Sequence, residues 1–108
     1  MDMNFKKGDT FTLPIQFYNT DTQAGLTLTP NMQITAKIVD ASRALIAEPT
    51  VRIDDDQLTN PGMILLEVPA AETALWHEGA AIMDIRLQVN DVVKHSQNIQ
   101  FRIERSIT

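Results

Sequence analysis

The sequence predicts an all-β domain, an antiparallel sandwich or barrel of about seven short strands, and three observations point there. Eleven isoleucines, eleven threonines and six valines among the 108 residues supply side chains that are stiff at χ1 and suit a pleated surface. Apolar residues alternate with polar ones in several stretches, the period of a half-buried strand. Turn signals recur every eight to twelve residues or so, with no βαβ rhythm and no internal repeat. The length is that of a single domain, 1–108, which buries roughly two-thirds of its unfolded surface.

Asn4 to Lys7 reads as a short strand and Gly8-Asp9 as a turn. From Thr10 to Tyr18 the residues Phe11, Leu13, Ile15 and Phe17 share a buried face, and Pro14, lacking an N–H, places this strand at a sheet edge or beside a bulge. Tyr18 to Met32 is a long irregular loop around Leu26-Thr27-Leu28-Thr29, the kind of segment that serves as a contact element. Alternation returns from Gln33 to Val39, with Ile34, Ala36 and Ile38 on one side. Asp40 to Arg43 forms a turn, Leu45 to Ile53 a strand interrupted at Pro49, and Asp54 to Gly62 a loop. Met63 to Val68, an apolar run between Gly62 and Pro69, fits a strand buried on both sides.

The one helical signal lies in residues 69–76, with proline near its start and Gly79 beyond its end; two turns at most make it a crossover between strands. The last third reads as one long hairpin. Ala80 to Val89 runs out, Asn90-Asp91 turns, and Val92 to Arg105 returns with Ile99, Phe101 and Ile103 inward.

Composition excludes several kinds of chemistry. Without cysteine there is no disulfide framework and no thiolate nucleophile, which is compatible with folding in a reducing cytoplasm. Nine basic residues against fourteen acidic ones, a net charge of -5, disfavour nucleic acid. The two N-terminal lysines have no apolar segment behind them, so no secretory signal is expected. The longest apolar stretches, Met63 to Leu66 and Ala80 to Met83, fall far below the ~20 residues that span a bilayer.

No catalytic, cofactor-binding or metal-ligating set emerges. Asp54, Asp55 and Asp56 are consecutive where a calcium loop alternates its acids, so they read as a solvated turn. His77 and His95 stand in different elements without zinc-site spacing. Ser42, Ser96 and Ser106 lack the Gly-x-Ser-x-Gly context, and the four glycines are isolated. Trp76 is either core at the open end of the sandwich or an anchor in a subunit interface. With Leu26 and Leu28 of the long loop it completes the set of candidate partner contacts.

The succession Lys-Gly-Asp-Thr-Phe (Lys7 to Phe11), Pro-Gly-Met-Ile-Leu-Leu (Pro61 to Leu66), Glu-Thr-Ala-Leu-Trp (Glu72 to Trp76), Ile-Met-Asp-Ile-Arg (Ile82 to Arg86) and a final Ile107-Thr108 resembles small β-sandwich virion proteins of tailed phages and prophages, including the N-terminal domain of baseplate upper proteins. That resemblance implies an immunoglobulin-like sandwich and a non-enzymatic assembly role in a tail, baseplate or neck. It implies a homo-oligomer in contact with other virion proteins, made in the host cytoplasm and located in the virion, with no cofactor, nucleic acid or membrane. The alternatives are a capsid decoration protein and a small carbohydrate- or ligand-binding sandwich. Open sheet edges, which can add a partner's strand, agree with an assembly role.

Overall fold

The computed structural model describes residues 3–18, 24–96 and 98–107. In chain order these form β1 (Met3–Lys6), β2 (Phe11–Gln16), β3 (Gln33–Asp40), β4 (Leu45–Ala47), β5 (Thr50–Ile53), β6 (Met63–Val68), α1 (Ala70–Thr73), β7 (Gly79–Val89), β8 (Val92–His95) and β9 (Ile99–Glu104). Two sheets result. The larger has the order β1-β9-β7-β3-β4, with β8 also paired to β7, and the smaller is β2-β6-β5. The chain is thus an all-β sandwich with one short crossover helix, and every strand pair is antiparallel except β1 with β9.

The described residues hold nine strands where about seven were expected, because two expected strands divide. Leu45 to Ile53 divides at Pro49: β4 pairs with β3 in the larger sheet, β5 with β6 in the smaller one, and the buried proline sits where the chain crosses between layers. A residue without an N–H suits a point where no ladder continues.

The returning strand divides through its register. Arg86 pairs with His95, but Met83 pairs with Ile99, so one extra residue has entered the returning side, the signature of a bulge. Because side chains alternate with period two, this slip exchanges faces. In β8 the odd-numbered Val93 and His95 lie on the solvent face with Gln88 and Arg86, whereas in β9 the odd-numbered Phe101 and Ile103 are buried. Ser96 marks the junction: its N–H donates to the Ile85 carbonyl at 2.8 Å and its Oγ accepts the Ile85 N–H at 3.0 Å.

The inner faces interdigitate as the alternation predicts. Ala36 and Ile38 of β3, Ile64, Leu66 and Val68 of β6, Ala81, Met83 and Ile85 of β7, and Phe101 and Ile103 of β9 are all buried. The expectation that β6 is buried on both sides is corrected. Met63, Leu65 and Glu67 are half-buried, since among the described residues no element is layered on the outer face of the smaller sheet. Pro14 stands as expected on an edge strand, opposite Leu65.

The crossover helix is shorter than its signal, four residues, and continues as tight turns in which Leu75 N–H bonds Glu72 and Trp76 N–H bonds Thr73. The long loop starts as an extension of β2, with Tyr18 bridged to Gly25 and the Leu26 N–H bonded to the Phe17 carbonyl at 2.9 Å. Its residues 19–23 lie outside the described residues, as do 1–2 of the expected N-terminal segment, Gln97, and Thr108 of the final motif.

Candidate interaction edge

An open sandwich exposes rows of unpaired backbone N–H and C=O groups at its sheet edges, and natural proteins blunt them. Here β2 carries Pro14 in its middle, β1 is four residues long and ends at Lys6-Lys7, and β4 has only three residues. On β5 the exposed Arg52 puts a charge on the edge strand itself and pairs inward with Glu67 of β6 at 3.2 Å. These are ordinary protective devices.

The strand β8 is different. All four of its residues are exposed, including adjacent valines, Val92 at 57% and Val93 at 41%. Among the described residues it is held by β7 on one side only, through the pairs Val89↔Val92, Gln88↔Val93, Leu87↔Lys94 and Arg86↔His95. The Ser96 N–H points to β7, since it donates to Ile85. In an antiparallel ladder, residues alternate between facing their partner and facing away. Lys94 and Val92 therefore turn their backbone groups toward β7, and His95 and Val93 turn theirs to the open side. The hairpin turn at Asn90-Asp91, with Asn90 at φ 53, holds Asp91 at the start of that edge.

The partner contacts expected from the sequence lie elsewhere and serve the interior. Trp76, 6% exposed, packs against Phe5 and Phe11 with ring centroids 5.5 and 6.0 Å away, and Phe11 in turn stands 5.8 Å from Phe101. Leu28, 5% exposed, belongs to the core, and its N–H is held by the Gln57 side chain at 3.0 Å. Leu26 is half-buried. Trp76 and Leu28 thus both pack in the core of the sandwich, and the surroundings of Trp76 support its core reading. Leu58, Leu75 and Ile107 are exposed singly, as is ordinary on a surface.

The polar candidates are also occupied by the fold. Asp54 Oδ1 accepts the Asp56 N–H at 2.8 Å, and Asp56 Oδ1 accepts the Thr59 N–H at 3.1 Å, so the acidic run builds its own loop. That Thr59 N–H, with the Thr59 side chain, lowers the Asp56 carboxyl below the ordinary carboxylate value. Asp40 is lowered likewise, first by the Ser42 hydroxyl and then by the Ala44 N–H, and this engages Ser42. His77 and His95 are exposed in separate elements, and among the described residues no group of three or more His, Asp or Glu could hold a metal ion.

A groove of about 290 Å³ between Lys37, Val39, Arg43, Ile82, Asp84 and Asn98 lies open on the outer face of the larger sheet. Phe5, Phe11, Phe101 and Trp76 cluster inside and Phe17 is half-buried, leaving Tyr18 as the exposed aromatic, so the carbohydrate alternative has no stacking platform. Among the described residues no helix is long and apolar enough to cross a membrane.

Sequence reasoning missed β8 as a site, although a signal was present. Two consecutive valines after a turn must place one on each face of a strand, and a single sandwich covers only one face.

No family model matches the chain, and no curated protein matches it. Among solved structures the chain is similar to CopC from Methylosinus trichosporium OB3b, at 14% identity over 77% of this chain and 84% of that one, with a TM-score of 0.49. The expectation of a phage-particle component is corrected: no family model or curated protein matches the chain, and the solved structure to which it is similar is CopC. The residues that carried the phage resemblance have folding roles instead. Gly8, at φ 92, makes the turn from β1 to β2, Gly62 at φ 80 packs on the Phe17 carbonyl, and Thr73 and Trp76 seal one end of the core.

Proposed function

We propose that the chain is a non-enzymatic interaction module that takes up an extended segment of a protein partner along the open side of β8. The observation that supports this is the contrast among edges: β8 alone among them combines adjacent exposed valines with outward backbone groups at Val93 and His95. Strand addition of this kind draws affinity from backbone hydrogen bonds and selectivity from alternate side chains.

The test is amide exchange measured by NMR with a short peptide of alternating threonine and valine as the probe strand. The expected result is slowed exchange at the Val93 and His95 amides, and its loss when Val93 is replaced by proline. Protection at β4 or β5 in place of β8, or at no edge, would falsify the reading.

A further inference from the structure

Resting on that edge reading, we infer that the segment β8 takes up is β8 of a second copy of this chain, in the antiparallel register that sets Val93 opposite Val93 of the second copy.

Symmetry restricts the choice. Two copies that continue one sheet through antiparallel strands are related by a two-fold axis normal to the sheet, so facing residues must share a face. In β8 the odd-numbered residues share the solvent face and the even-numbered ones the other, so only odd–odd and even–even pairs are allowed. The outward backbone groups also belong to the odd positions, so odd–odd pairs exchange hydrogen bonds.

Charge then selects the register. With Val93 on the axis, Asp91 faces His95 of the second copy on one flank and His95 faces Asp91 on the other, a carboxylate acceptor against an imidazole N–H donor twice over. On the opposite face Val92 meets Lys94 of the second copy, whose aliphatic stem covers the valine. Sliding one step toward His95 would bring Lys94 against Lys94, like charges directly opposed, which destabilises a strand pair. Sliding the other way withdraws His95 from Asp91 and shortens the overlap. Within the larger sheet the strands leave this place open: β9 and β1 continue beyond the His95 end of β8, and the axis sends the second copy's β9 and β1 beyond the opposite end.

Sedimentation of the whole chain over a concentration series, up to about 1 mM, tests this, because that range reaches associations as weak as ~4 kcal/mol. The expected result is a reversible dimer. Val93→Lys, on an exposed position and checked for folding by circular dichroism, raises the dissociation constant at least about tenfold by opposing two ammonium groups on the axis. Asp91→Lys or His95→Asp alone, each of which sets two groups of unsuited character opposite one another, weakens the dimer by roughly three- to fivefold, and the double variant Asp91→Lys/His95→Asp restores it by re-forming an opposed acid and ammonium.

A dimer untouched by Val93→Lys, or a double variant no better than the weaker single one, overturns the register. A monomer that still protects Val93 when given the Thr-Val peptide overturns the second copy as occupant and leaves the edge reading standing. A monomer that refuses the peptide as well overturns both.

Discussion

The hydroxyl of Thr73 donates to the Asp9 carbonyl at 2.6 Å while accepting the Gly8 N–H at 3.1 Å, tying the helical turn to the bend between β1 and β2. β1 lies in the larger sheet and β2 in the smaller, so one buried hydroxyl joins both layers at this end of the sandwich. Thr73→Val keeps the shape and removes the oxygen, leaving a backbone donor and acceptor unsatisfied. The expected loss is about 1–3 kcal/mol, read as a lowered midpoint in urea with an unchanged slope.

Gly62 stands at φ 80, and a Cβ there would run into the Phe17 carbonyl oxygen. That contact is backbone to backbone, and the neighbouring Phe17 N–H already bonds the Gly62 carbonyl at 2.8 Å, so nothing flexible can give way. Gly62→Ala therefore combines a left-handed backbone penalty with overpacking, a cost of roughly 2–5 kcal/mol. Thermal unfolding followed by circular dichroism measures it, and a variant melting with the wild type would show that the turn can rearrange.

Trp76 and Leu75 are neighbours with opposite surroundings, one among Phe5 and Phe11 and the other 80% exposed. Trp76→Ala should cost about 3–5 kcal/mol as a truncated core aromatic, whereas Leu75→Ser should stay within about 0.5 kcal/mol. Denaturant titration of the two variants separates a core role from a surface role at this end of the molecule.

Acid acts on the two loop carboxylates. Asp40 and Asp56 titrate lower in the folded chain than the ordinary 3.8, so their contribution is complete above that value and is lost as pH falls through their folded values. The double variant Asp40→Ala/Asp56→Ala should be less stable than the wild type at neutral pH and lose less further stability below pH 3.8. Chemical denaturation at a series of pH values checks the crossover, and parallel acid limbs would show that these loops do not couple to global folding.

Much of the fold was legible in the residues. Pro14 announced an edge, the alternation in Gln33 to Val39 announced its buried face, and the Pro–Gly bracketing of residues 69–79 announced a crossover. What could not be read locally was which sheet each strand joins. Pro49 marks an interruption, but only the pairing of β4 with β3 and of β5 with β6 reveals a change of layer. The twice-exposed valines of β8 escaped for a related reason: alternation reports which side chains share a face, and only the assembled sheets decide whether that face is covered. The phage reading rested on the order of turns and apolar runs, and those residues are accounted for by the packing of Gly62, Thr73 and Trp76.

The slip between β8 and β9 makes the Arg86–His95 tip a cassette, separable from the body to which it is joined. The connection from His95 to Ile99 is one residue longer than the Met83 to Arg86 stretch it faces, so residues of like parity lie on opposite faces on its two sides and the alternation of β8 is decoupled from that of β9. With that spacing kept, the chemistry of Val92 to His95 can be rewritten without consulting the packing of Phe101 and Ile103. New recognition could thus be written onto this edge while the sandwich beneath it stays as it is.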